Sequence, residues 1–128
     1  MLYIVATPIG NLNDTSRRAV EAMRSADVIA CEDTRRTRIL LTHFDIPVPG
    51  VFLSYREGNE DRAGEQIIRF LDEGKTVAVC SDGGYPGISD PGYRLVRLAV
   101  ERGKELCVIP GASAEDVGHR AAAQNLSD

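Results

Sequence analysis

Five short apolar runs, each followed by a longer stretch with apolar residues at helical spacing, constrain this chain more than any other feature. "LYIVAT", "VIACE", "VFLS", "TVAVCS" and "LCVI" are only four to six residues long, and their apolar residues stand largely at consecutive positions. A strand reads this way when helices cover both faces of a parallel sheet, because neither of its sides meets water. The alternation is that of βα units. It predicts an α/β fold: a five-stranded, mostly parallel sheet with strands at 2–7, 28–32, 51–54, 76–81 and 106–109 and helices on both faces.

The intervening stretches supply the helices. "DTSRRAVEAMRSA" opens with Asp14, Thr15 and Ser16, any of which can cap a first turn, and sets Ala19, Val20 and Met23 on one side. "TRRTRILLTHF" groups Ile39, Leu40 and Phe44, with its arginines at the N-terminal end, where they oppose the helix dipole. "NEDRAGEQIIRFLDEG" offers Asn59 as cap, an Ile67, Ile68 and Leu71 face, and Gly74 as a stop. "YRLVRLAVERG" turns Leu95, Val96, Ala99 and Val100 inward and ends at Gly103.

Composition removes several classes of function. With 128 residues the chain is expected to form one domain; 43% of them are hydrophobic and no apolar stretch approaches the length of a membrane span. The N-terminus has neither a basic leader nor a long apolar core, which predicts a cytoplasmic protein. The net charge of −4 argues against a surface that grips nucleic acid all over, though "TRRTR" leaves a local basic patch or a solvated helix face. Cys31, Cys80 and Cys107 lie in or beside strands and read as small buried residues. Without C-x-x-C or H-x-x-x-H spacing no metal site is expected, and His43 and His119 read as structural or solvated.

In an open parallel sheet, ligands bind beyond the carboxyl ends of the strands. There this chain places "TPIGN", "EDTR", "YREGN", "SDGGYPGISDPG" and "PGASA", whereas the opposite ends carry the plain turns "SAD", "DEGK" and "ERGKE". In the fourth loop Gly83 and Gly84 let backbone approach a ligand closely while Pro86 and Pro91 restrict the alternatives, which makes a preformed cradle. Neither G-x-G-x-x-G nor G-x-x-x-x-G-K-[ST] occurs, so dinucleotide pyrophosphates and triphosphates are disfavoured. That loop has no lysine or arginine but holds Asp82 and Asp90, which suit a ligand with a positive centre, an amino group or ribose hydroxyls. S-adenosylmethionine has all three. Either aspartate has the alternative of capping a turn or the next helix.

"VATPIGNLNDTSRRAVEAMRSADVIACEDTRRTRILLTHF", "YREGN", "AVCSDGGYPGISDPGYRLV" and "VIPGASA", in that order and spacing, resemble the N-terminal half of the ribosomal RNA small-subunit methyltransferase I branch of the tetrapyrrole methylase family. The resemblance implies a Rossmann-like domain over 1–114. It also implies a homodimer and S-adenosylmethionine-dependent methylation of a cytidine 2′-hydroxyl in the ribosomal RNA of the small subunit. Ile9 and Gly10 match the family's first cofactor loop, Gly83, Gly84, Tyr85 and Ile88 its methionine-side loop, and Ser113 and Ala114 a further contacting segment. Asp82 joins them on charge.

For the reaction, Glu32 and Asp33 are the candidate proton acceptors, with pairing to the nearby arginines as the alternative. Arg35, Arg36, Arg38 and Arg56 are the candidate contacts to RNA backbone. Two departures stand out. Gly84-Tyr85 occupies a place where small residues are usual, and residues 115–128 leave the family's pattern, so the second domain and its half of the cofactor site are expected to be absent from these 128 residues. The other readings are a porphyrin or corrin carbon methyltransferase, and a flavodoxin-like domain without catalysis.

Overall fold

All five apolar runs join one sheet. The computed structural model describes residues 1–8, 10–82 and 90–109, and among these all side chains except those of 82 and 90–93. The strands are β1 (Leu2–Thr7), β2 (Val28–Cys31), β3 (Val51–Ser54), β4 (Val77–Asp82) and β5 (Leu106–Ile109). The helices are α1 (Arg17–Ser25), α2 (Thr34–His43), α3 (Glu60–Asp72) and α4 (Asp90–Glu101), with a 3-10 turn at Leu12–Asp14. Every pairing is parallel and the order across the sheet is β3-β2-β4-β1-β5.

That order explains the two helical layers. The chain travels one way from β1 through β2 to β3, then returns through β4 to β5, and right-handed crossovers put the two journeys on opposite faces. Ala19, Ala22 and Met23 of α1 and Leu40 and Leu41 of α2 pack with Val5, Ile29, Cys31, Ala78 and Cys80. Ala63 and Ile67 of α3 and Leu95 and Ala99 of α4 pack with Leu2, Ile4, Val28, Ala30, Val77 and Val79. Alternate strand residues thus feed different cores, which is why the runs are apolar throughout. Gly64 is buried where a side chain would stand 3.1 Å from Leu98 Cδ2, so this glycine sets how closely α3 and α4 approach.

Several expectations shift in detail. β2 stops at Cys31, leaving Glu32 in the loop, and β4 starts and ends one residue later than predicted. Thr76 is held in the preceding turn, its N–H donating to Asp27 Oδ2 at 2.9 Å, while Asp82 stays in register with Thr7. Of the three candidate caps, Ser16 serves α1 by accepting from Ala19 N at 3.1 Å. Asn59 occupies the cap position of α3 without a side-chain capping bond, because its side chain braces the preceding loop instead.

Ile39 is 56% exposed rather than inward: α2 faces the core along Thr37, Leu40, Leu41 and Phe44, and three consecutive apolar residues cannot share one face. Val100, 63% exposed, likewise lies one residue round from the Ala99 stripe. Gly74 ends α3 with φ +83°, as its position predicted. Cys31 and Cys80 are buried, and Cys107 is half-buried.

Candidate functional site

Strand register assembles the site. Ser54, Cys31, Cys80, Val5 and Ile109 stand in one row across the sheet, where β2, β3 and β5 end, and β1 and β4 run two residues further, to the Thr7–Asp82 pair. The loops picked out in the sequence therefore leave from a common rim. β4 sits between β1 and β2, yet it leads to α4 on one face while its neighbours lead to α1 and α2 on the other. Where adjacent strands send their chains to opposite faces a crevice opens at the carboxyl ends. Gly10 is exposed beside it and Asp82 ends β4 at its base. Ile9, Gly83, Gly84, Tyr85, Pro86, Ile88, Ser113, Ala114 and His119 lie outside the described residues.

Two hydroxyls floor the crevice. Thr7, 4% exposed, donates from Oγ1 to the carbonyl of Ser81 at 3.1 Å, locking the ends of β1 and β4 together. Ser81, also 4% exposed, has an Oγ without a hydrogen-bond partner among the described residues. A buried hydroxyl left in that state is costly unless something else satisfies it. Glu32 follows Cys31, whose partner on β4, Cys80, precedes Ser81, so both residues come directly after the last pair of the β2–β4 ladder. Glu32 is half-buried and makes no hydrogen bond or ion pair among the described residues. Sequence reasoning missed Ser81; its signal was a polar residue closing the run "TVAVCS" at the rim.

The other candidates separate by role. Asp33 is the N-cap of α2, its Oδ1 accepting from Arg36 N at 3.2 Å. Arg36 is half-buried and its Nη2 donates to the carbonyl of Pro8 at 3.1 Å, across to the β1 loop. Arg35 and Arg38 are exposed on α2, Arg38 lying 5.1 Å from the Phe52 ring centroid on the edge strand β3. Arg56 is exposed beyond β3, with its N–H donating to Asn59 Oδ1 at 2.8 Å. The three exposed arginines thus fringe the β2–β3 side of the rim, while Arg36 turns inward.

Beside them Tyr55 is buried, and that burial, reinforced by the Glu60 charge, pushes its hydroxyl up to about 12. Glu60 is held below the ordinary carboxylate range by backbone N–H donors, its own and that of Gly58 at 2.6 Å, with a smaller contribution from Arg94 at 2.9 Å. A groove of about 420 Å³ follows from there between α3 and α4, but its arginines and carboxylates are largely paired, as in Arg94–Glu60 and Arg97–Glu101.

Fold and rim together define a doubly wound α/β domain with its ligand crevice at a topological switch point. The whole of 1–128 matches the model of the tetrapyrrole (corrin/porphyrin) methylases, and the chain belongs to that family. Over 113 residues it is 51% identical to a ribosomal RNA small subunit methyltransferase I from Halalkalibacterium halodurans, covering 88% of this chain and 38% of that protein. A protein of the same name from Thermotoga maritima is 48% identical over 113 residues, covering 88% and 50%.

The chain therefore spans from under two fifths to half the length of these relatives. Among solved structures, a cobalt precorrin-4 methyltransferase aligns with a TM-score of 0.73 at 18% identity over 86% of this chain and 45% of its own. A uroporphyrin-III C-methyltransferase from Thermus thermophilus, complexed with S-adenosylhomocysteine, aligns at 0.65 and 19% identity, covering 91% and 51%. At such identities the likeness is one of fold, and it agrees with the five-stranded parallel architecture. Among the described residues no helix is long and apolar enough to cross a membrane.

Proposed function

We propose that this chain is the N-terminal half of an S-adenosylmethionine-dependent methyltransferase that acts on a cytidine 2′-hydroxyl in small-subunit ribosomal RNA, as a cytoplasmic homodimer. The observation that carries the reading is the buried Ser81 hydroxyl at the switch point, without a hydrogen-bond partner among the described residues. Such a hydroxyl fits a cofactor rich in amino and hydroxyl groups. The relatives at 48–51% identity, with their printed name, support ribosomal RNA over a porphyrin as the acceptor.

In this reading Thr7, Gly10, Ser81 and Asp82 line the floor of the cofactor site, and Ile9, Gly83, Gly84, Tyr85, Ile88, Ser113 and Ala114 complete it. The bound cofactor supplies a methyl group activated on a sulfonium. Methyl transfer to an alcohol needs alignment above all, which a rigid rim provides. The attacking 2′-hydroxyl must also lose its proton, and we assign its acceptance to Glu32, since Asp33 is taken up in capping α2. Arg35, Arg38 and Arg56 meet the RNA backbone.

Calorimetry with S-adenosylmethionine tests the reading, using the 128-residue chain beside the full gene product. Weak or absent binding in the first and clear binding in the second is expected. Micromolar affinity in the chain alone would show that the site is not divided between two halves. Methyl transfer to undermethylated small ribosomal subunits, set against transfer to a porphyrin, identifies the acceptor.

A further inference from the structure

We infer that Arg36 is a positioning residue that fixes the β1 loop, and not a contact to RNA; the inference rests on the proposed function only in calling that loop part of the cofactor site. β1 ends at Thr7, so the Pro8 carbonyl has left the ladder that satisfies its predecessors. Main-chain carbonyls in such places need another donor. Arg36 supplies it, spanning from the first turn of α2 to Pro8 O at 3.1 Å. Its own backbone is fixed by the Asp33 cap, since the amide that Asp33 accepts is that of Arg36.

The sequence held a hint of this. A cation in the first turn of a helix opposes the dipole. Arg35 relieves that by lying in solvent, whereas Arg36 is drawn inward to a carbonyl. In sequence Pro8 immediately precedes Ile9 and Gly10, the residues assigned to the cofactor on family grounds, and Arg36 holds the backbone at Pro8 from which they continue. Together with Thr7 on Ser81, this bond ties the exits of β1, β2 and β4 into one frame.

Hydrogen exchange on the chain and on R36A and R36K tests the clasp directly. R36A is expected to speed exchange of the Asn13, Asp14 and Thr15 amides about tenfold, the loss of one charge-assisted hydrogen bond, while β4 and α3 amides keep their rates. Guanidinium ion added well below denaturing concentrations restores the slow rates in R36A, and R36K falls between. Unchanged exchange in R36A, or acceleration spread evenly over the domain, overturns the proposal.

Two binding measurements on the full gene product separate the rivals. S-adenosylhomocysteine affinity should fall about tenfold in R36A and recover with guanidinium, while the salt dependence of ribosomal RNA binding stays as in the wild type. A reduced salt slope with normal exchange would place Arg36 with Arg35 and Arg38 on the RNA and defeat the inference. A loosened loop with unaltered cofactor affinity leaves the clasp standing and removes the β1 loop from the cofactor site.

Discussion

Replacing Ser81 by alanine is expected to stabilise the free protein and weaken its ligand, two effects of opposite sign from one oxygen. The hydroxyl is 4% exposed and unpartnered among the described residues. Leaving a buried polar group unsatisfied costs about 1–3 kcal/mol, and removing it recovers that amount without opening a void larger than one atom. For a chain of this length each kcal/mol corresponds to about 4 °C in Tm, so S81A should melt roughly 4–12 °C higher. If the cofactor satisfies Ser81, the full gene product carrying S81A loses one neutral hydrogen bond, or about three- to tenfold in affinity. Differential scanning calorimetry and titration calorimetry measure the two arms. A lower Tm would mean that the hydroxyl already has a partner in the free protein. A higher Tm with unchanged affinity would mean that the orphan serves something other than the ligand.

Asp33 and Glu32 separate in the same way. D33A should cost about 1 kcal/mol through the lost cap of α2, and D33N, which caps nearly as well, should be close to wild type in both Tm and methyl transfer; E32Q should keep the Tm and lose methyl transfer, and the reverse pattern would exchange their roles. Ile67, fully buried between α3 and the sheet, should cost about 2–5 kcal/mol as I67A, while exposed Ile39 should change stability by less than about 0.5 kcal/mol as I39A in urea unfolding. Tyr55 should ionise near pH 12 in an absorbance titration. Because its hydroxyl is raised from 10.0 to about 12 in the folded state, the unfolded chain releases that proton first, and stability present below pH 10 should drain between pH 10 and 12. Y55F should flatten that decline.

The sheet was legible because burial on both faces leaves a local mark: Val77 to Cys80 feed two different cores, so none of them can be polar. The phase of α2 was not, since Ile39, Leu40 and Leu41 are equally apolar and only the Asp33 cap and the packing of Thr37 decide which one faces water. Strand order leaves no local mark either, because parallel pairing joins residues as distant as Leu2 and Leu106. The rim could nevertheless be read without it: in any all-parallel sheet the loops that follow the strands share one edge, whatever the order. What order adds is the crevice, by setting β4 between two strands whose helices lie on the other face. That is where the sequence reading fell short at single residues. Ser81 was hidden as one more small residue in a strand, and the dipole conflict in "TRRTR" raised a question about the arginines without saying that Arg36, one residue from Arg35, turns to a different partner. Residue type and spacing can place chemistry on an edge, but a one-residue step along a helix rotates a side chain by about 100°, enough to change what it touches.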